Sequence, residues 1–316
     1  MRRSRGLLLS LALPDMQYFA GRRCLILPKQ NNSRDKPPLL LIGGTAQSIP
    51  SWQSHYSQLS KDRTVVVYEA RGQGPKSSND LLDDNYTDCS LEKQVVDLSD
   101  FLSEISPVLS TTQIDCCGFS FGGRLALAFA GTNPTPPRVS INKLHVTGVA
   151  GLTRGAFARV ILSAWDKILL GDRNDSSSDK LRLRAFIYSS LLSTYSQKFV
   201  AANEKRIDLW VNFGLQQNTV EGVGGIVRQS HSDDSFDVHQ SALRLSKNHA
   251  VEKLRIIAGG QDALCGGYYE AVRDNLEELA ATIGGGVSHK VFRECGHAVL
   301  LEDAKGWRQD VLDFLK

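Results

Sequence analysis

A serine set between two glycines at a strand-to-helix junction constrains this chain more than any other feature. The stretch Cys116-Cys117-Gly118-Phe119-Ser120-Phe121-Gly122-Gly123-Arg124 follows the apolar run Ile114 to Cys117 and leads into Leu125-Ala126-Leu127-Ala128-Phe129-Ala130. The first run is too short for a helix and suits a buried strand, whereas the second is rich in good helix formers. A G-x-S-x-G turn between such elements forces the serine into a strained backbone, and the flanking glycines remove the Cβ atoms that would clash in the corner. Its hydroxyl then projects above the sheet at a helix N-terminus, where free N–H groups favour a developing negative charge. The competing reading is an ordinary glycine-rich strand-to-helix loop, and the flanking elements favour Ser120 as a nucleophile.

The rest of the chain repeats this alternation. Leu39-Leu40-Leu41-Ile42 reads as a parallel strand covered on both faces and ends in Gly43-Gly44-Thr45-Ala46-Gln47-Ser48. A short helix is expected from Trp52 to Leu59, then a strand at Thr64 to Tyr68. A helix follows from Ser90, its N-cap, to Leu102, with Leu91, Val95, Leu98 and Leu102 at helical spacing. After the elbow come a proline-rich loop from Asn133 to Pro137 and a strand from Leu144 to Val149. Alternating strands and helices signal a parallel α/β sheet flanked by helices. Met16 to Leu27, split by Gly21-Arg22, is consistent with an opening hairpin.

From Leu152 to Ala250 the pattern changes to successive helices, among them Ala156 to Leu170, Lys180 to Ser193 and Ile207 to Gln216. Polar breaks at Gly171 to Asp179 and Ser230 to Asp237 divide them. This reads as a helical cap, residues 152–250, inserted into a core made of 16–151 and 251–316. Phe157, Trp165, Phe186, Tyr195, Trp210 and Phe213 are its candidates to line a pocket. The alternation resumes with a strand at Leu254 to Ala258, a helix at Tyr268 to Ile283, a strand at His289 to Phe292 and a helix at Ala304 to Leu315.

Composition narrows the function classes. The 316 residues suit one large domain or two small ones, and a net charge of +3 without basic blocks beyond Arg2-Arg3-Ser4-Arg5 does not point to nucleic acid. Six cysteines, with neither CxxC spacing nor histidine partners, suggest a reduced, intracellular compartment (cytoplasm or organelle), no disulfide framework and no metal site. Residues 1–15 order charge before an apolar run of about eight residues; a targeting segment and a basic lead-in to a first strand fit equally. No cofactor is expected.

In an open α/β sheet, ligands bind beyond the carboxyl ends of the strands. Gly259-Gly260-Gln261-Asp262 follows one late strand and Arg293-Glu294-Cys295-Gly296-His297 the next. Ser120, Asp262 and His297 are therefore expected at one sheet edge as nucleophile, acid and base. A neutral imidazole takes the serine proton, and a carboxylate holds that imidazole in the right tautomer. Asp233, Asp234 and Asp237, in the expected cap, are poorer candidates for the acid.

With these residues in place the chain resembles the α/β-hydrolase fold superfamily over nearly its whole length. The shared features are the Ser, Asp, His order, the Gly259 to Asp262 stretch, Gly296-His297 before the last helix, and an acid at Glu302. The superfamily's D-x-R-G-x-G-x-S stretch corresponds to Glu69-Ala70-Arg71-Gly72-Gln73-Gly74-Pro75-Lys76, with Glu for Asp and the serine one place late at Ser77. Glu69 and Arg71 are expected to form a structural ion pair. Where many members carry His-Gly, this chain has Gly43-Gly44. The resemblance implies an oxyanion hole from the N–H groups of Phe121 and Thr45, with Ala46 as the alternative to Thr45. The six other histidines are expected on the surface or in satisfied loop positions.

The resemblance implies cleavage of a small carboxylic ester or thioester by a serine hydrolase. The elbow Ser-Phe-Gly-Gly-Arg also resembles that of the menaquinone-pathway succinyl-hydroxycyclohexadiene-carboxylate synthases. That likeness implies a lyase in which Arg124 binds a substrate carboxylate, against a structural arginine beneath the cap. Phe119 is a further candidate for contact with substrate. A non-catalytic ligand sensor that keeps the pocket is the third reading.

Overall fold

The computed structural model describes residues 15–31, 36–75, 88–132, 139–149, 151–171, 179–232, 238–248 and 251–316. The expected lead before residue 15, Lys76-Ser77, the 133–137 loop, the centre of the 171–179 break, and Asp233, Asp234 and Asp237 lie outside these residues.

The chain opens with a hairpin, β1 (Gln17–Phe19) and β2 (Arg22–Leu27), followed by β3 (Leu39–Ile42) and α1 (Gln53–Leu59). Next come β4 (Val65–Tyr68), α2 (Leu91–Leu109), β5 (Gln113–Phe119), α3 (Phe121–Thr132) and β6 (Ser140–Thr147). Six helices follow: α4 (Ala156–Leu170), α5 (Asp179–Thr194), α6 (Gln197–Ala202), α7 (Ile207–Gln217), α8 (Val220–Ser232) and α9 (His239–Asn248). The chain closes with β7 (Lys253–Gly259), α10 (Tyr269–Ile283), β8 (Val287–Phe292), α11 (Val299–Glu302) and α12 (Ala304–Phe314).

The eight strands form one sheet in the order β1-β2-β4-β3-β5-β6-β7-β8. β1 and β2 pair antiparallel, as do β2 and β4, and every later pairing is parallel. The mostly parallel, helix-flanked sheet expected from the alternating pattern is the observed architecture. From β3 the chain crosses to β4 on one side and then to β5 on the other. The loops after β3 and β5 therefore diverge at a topological switch point, where a crevice opens.

Side chains alternate between two cores. Leu40, Ile42, Cys116, Val146 and Ile256 pack with Phe101 of α2, Leu125 of α3 and Leu276 of α10. Leu39, Leu41, Cys117, Phe119 and Ile257 pack on the other face with Leu59 of α1 and Trp307 and Val311 of α12. Both faces are covered, so these strands are apolar runs rather than alternating ones. A third core, including Trp165, Phe186, Val211 and Val223, joins α4, α5, α7 and α8.

Several expectations need correction. The helix expected to end at Leu102 continues to Leu109 through Pro107, because Phe101, Leu102 and Ile105 keep the buried face. Its predicted N-cap is present, with Ser90 Oγ accepting the Lys93 N–H at 3.3 Å. The helix α8 runs through the expected break at Ser230 to Ser232. Within 152–250, α9 packs instead beside α3 and α10, where Ala242 and Leu245 join the core beneath the sheet. Glu69 and Arg71 do not pair with each other. Glu69 binds Arg23 at 2.6 Å and Arg71 binds Asp97 at 2.8 Å, because partners far along the chain lie closer than the neighbour two residues away.

His55 and His145 are wholly buried core residues in α1 and β6, not surface or loop histidines. Phe157 is 62% exposed on α4 and is not among the residues that line the cavity at Ser120. None of the six cysteines, all of them buried, is in a disulfide. Among the described residues no helix is long and apolar enough to cross a membrane.

Candidate active site

The β5–α3 junction sets Ser120 at φ +53°, the strained left-handed conformation expected of the turn. Backbone crowding explains the glycines. A Cβ on Gly118 would meet the Gly122 carbonyl oxygen and the Gly123 Cα at 2.6 Å. One on Gly122 would lie 2.6 Å from the Gly43 carbonyl oxygen and closer still to that of Ile42. The elbow is thus pressed against the end of β3, which brings the Gly43–Ala46 loop beside the serine.

The three residues expected at the sheet edge meet there. Ser120 Oγ lies 2.8 Å from His297 Nε2, and His297 Nδ1 lies 2.8 Å from Asp262 Oδ2. The buried carboxylate can only accept, so Nδ1 carries the proton and Nε2 is left as the acceptor for the serine hydroxyl. The other oxygen, Asp262 Oδ1, accepts the N–H groups of Leu264 and Cys265 at 2.9 and 3.1 Å. Asp262 is fully buried and His297 nearly so. The Phe119 ring tilts against the imidazole with centroids 5.2 Å apart.

Asp262, His297 and Cys265 also present an oxygen, a nitrogen and a sulfur within 4.8 Å of one another. That is a donor set zinc accepts. Asp262 and His297 commit their facing atoms to each other.

The loop after β3 is held from two sides. Gln73 Nε2 donates to the Gly43 and Gly44 carbonyls at 2.9 and 2.8 Å, and Asn218 Nδ2 to that of Ala46 at 3.2 Å. Inside the turn, the Gly44 N–H donates to Gln47 Oε1 and the Gln47 N–H to the Gly44 carbonyl. Thr45 and Ala46 line the cavity together with Phe121. Gln73 and Asn218 are supports that the sequence reading missed. Gln73 sits in the Arg71-Gly72-Gln73-Gly74 stretch already singled out, whereas nothing local marks Asn218.

Ser120 and His297 open into a cavity of about 840 Å³ between the sheet edge and the helices after β6. Phe119, Trp165, Phe186, Tyr195, Trp210 and Phe213 all line it. Tyr195, Phe199 and Trp210 lie with ring planes within 10 to 21° of one another and centroids 5.1 to 6.0 Å apart, forming an aromatic wall. Arg124, Arg154 and Arg206 line it too, and among the described lining residues there is no aspartate or glutamate.

By sequence, the profile of the Alpha/beta hydrolase family matches residues 39–309, which spans most of the chain. The chain belongs to the alpha/beta hydrolase family.

No curated protein matches it by sequence. Solved alpha/beta hydrolase relatives share its shape over nearly full length. The enol-lactonase from Burkholderia xenovorans LB400 is 15% identical, with a TM-score of 0.71 over 95% of this chain and 99% of that one. An esterase (EaEST) from Exiguobacterium antarcticum is 16% identical, with a TM-score of 0.66 over 93% and 96%. MenH from S. aureus is 16% identical, with a TM-score of 0.64 over 92% and 97%. Family membership supports a hydrolytic enzyme, while likenesses at this level of identity speak for the alpha/beta hydrolase fold alone.

Proposed function

We propose that the protein is a serine hydrolase of a small carboxylic ester or thioester. The unbroken relay from Ser120 through His297 to Asp262, opening into the cavity, carries this reading. His297 Nε2 takes the Ser120 proton as Oγ attacks the carbonyl carbon, while Asp262 stabilises the imidazolium. The oxyanion lies against the N–H groups of Phe121 and Thr45, preorganised at the start of α3 and in the braced loop after β3. Collapse expels the alcohol or thiol, which leaves with the proton held by His297. Water, deprotonated by the same imidazole, then releases the acyl group and restores the serine. The helices α4 to α8 act as a cap, with the aromatic wall and Phe119 shaping the acyl pocket. No cofactor enters the cycle.

The test is hydrolysis of a chain-length series of p-nitrophenyl esters by the wild type and Ser120→Ala. Turnover that disappears in the variant supports the reading, and equal turnover refutes it.

Arg124, which lines the same cavity together with Arg154 and Arg206, favours a second reading. Here the relay acts as a base on a carboxylated substrate that Arg124 holds by charge-assisted hydrogen bonds, expelling a leaving group as a lyase does. Arg124→Ala should then abolish turnover of a carboxylated substrate and spare a neutral ester; equal losses refute it. A ligand sensor would instead show no turnover and a binding isotherm unchanged by Ser120→Ala.

A further inference from the structure

Glu302, the last residue of α11, lies five residues beyond His297. Three donors converge on it. Its Oε1 accepts the Gly296 N–H at 2.8 Å and the Ser196 N–H at 3.1 Å, and its Oε2 accepts the Ser196 hydroxyl at 2.5 Å. Burial raises the pKa of this half-buried carboxylate, and the hydrogen bonds from Ser196 and Gly296 act against that loss of water.

The donors come from two separate parts of the molecule. Gly296 directly precedes His297 on the β8–α11 loop. Ser196 joins α5 to α6, caps α6 by accepting the Phe199 N–H at 3.2 Å, and directly follows Tyr195 of the aromatic wall. The two segments touch through their backbones. The Ala298 N–H donates to the Thr194 carbonyl at 3.2 Å, and a Cβ on Gly296 would lie 2.6 Å from the Ser196 nitrogen. His297 and Tyr195 are thus each one residue from an atom bound to the same carboxylate.

We propose that Glu302 is a positioning residue that locks the aromatic wall of the acyl pocket to the loop bearing the imidazole. Its kinetic consequence rests on the serine-hydrolase reading; the coupling itself does not. Loss of the carboxylate frees both segments, so Tyr195 shifts relative to Phe199 and Trp210 while His297 loses alignment with Ser120. Misplacement of reacting groups by about 1 Å costs about a hundredfold in rate, and a displaced wall penalises long acyl chains more than short ones. Gln at this position keeps the carbonyl oxygen for both N–H groups and offers its amide N–H to the Ser196 oxygen, so it should restore the lock.

The full-length wild type, Glu302→Ala, Glu302→Gln and Ser196→Ala are compared by hydrogen exchange and by rates on p-nitrophenyl acetate and octanoate. Rates are expressed per site labelled by a fluorophosphonate. Glu302→Ala should lose amide protection together at residues 194–203 and 293–298. Its octanoate-to-acetate ratio of kcat/KM should fall about tenfold, with Glu302→Gln within about threefold of wild type. Ser196→Ala keeps both backbone donors and should show about a threefold change in that ratio, which preserves the test if the alanine variant at 302 is unstable. Protection lost in only one segment, or an unchanged ratio at a merely lowered melting temperature, overturns the proposal. If the wild type turns over neither ester, or Ser120→Ala matches it, the hydrolase reading fails while the exchange data still decide the coupling.

Discussion

Replacing Asp262 by Asn separates orientation of the imidazole from every other role of the site. The side chain has one productive way to sit. Oδ1 accepts two backbone N–H groups, from Leu264 and Cys265, and Oδ2 accepts His297 Nδ1–H. An amide NH₂ turned toward Leu264 and Cys265 would face two donors, so the Asn oxygen stays there and its NH₂ faces His297. That donor can bond only to an unprotonated Nδ1, which moves the imidazole proton to Nε2, opposite Ser120. A histidine protonated at Nε2 cannot take the serine proton. The expected loss in kcat is about 10⁴-fold, the scale of a wrong-tautomer triad, or about 5.4 kcal/mol at 1.36 kcal/mol per decade. Stability should fall by only about 1–2 kcal/mol, since both backbone bonds remain and one charge-assisted bond is lost. The assay is single-turnover and steady-state hydrolysis of a p-nitrophenyl ester from pH 6 to 9, with urea denaturation alongside. A variant that keeps kcat within tenfold of wild type while folded would refute the orienting role.

Three further outcomes are expected. Gly122→Ala drives a Cβ into the Gly43 carbonyl and should cost about 2–3 kcal/mol in urea denaturation and most ester turnover; a neutral effect would contradict the packing of the elbow against β3. His55, held down to about 4 by burial and then by the Arg308 charge against a backbone hydrogen bond to Leu300, is neutral in the folded protein. The unfolded chain takes up its proton near pH 6.5, so wild type should lose about 2–3 kcal/mol between pH 7 and 4.5 that His55→Leu does not; parallel curves would refute this. Asp310, though burial pushes its carboxyl upward, is held low by hydrogen bonds and charge from His145 and Arg255. Asp310→Asn should cost about 3 kcal/mol at neutral pH, a gap that narrows progressively below about pH 4, where the unfolded chain takes up the proton while the folded carboxylate stays ionised; a constant gap would argue against the ion pair.

Much of the candidate site was legible without coordinates because its determinants are short-range. The elbow needs only a strand, five residues and a helix, and Asp262 and His297 each follow directly on a strand. What was not legible follows from distance along the chain. Glu302 was noted as an acid beside Gly296-His297, but its partner Ser196 is 106 residues away. The turn residues Gly43 to Ala46 were visible, whereas Asn218, 172 residues on, was not. Phe157 and Phe186 carry the same ring, yet one faces solvent and the other is buried, because only the packing of α4 on α5 and α8 decides which face turns inward.

The sequence by itself determined the alternation of strands and helices, the strained serine at the end of β5, and the order of acid and base after it. Steric limits on the backbone and the periods of apolar residues act over a few positions, and both can be read in the chain. Only the tertiary structure decided that Glu69 takes Arg23 and Arg71 takes Asp97, that His55 and His145 sit in the core, and that α9 packs beside α3 and α10. Charge pairing and burial are settled by which surfaces meet in space, and many side chains of one type compete for each partner until the fold has chosen.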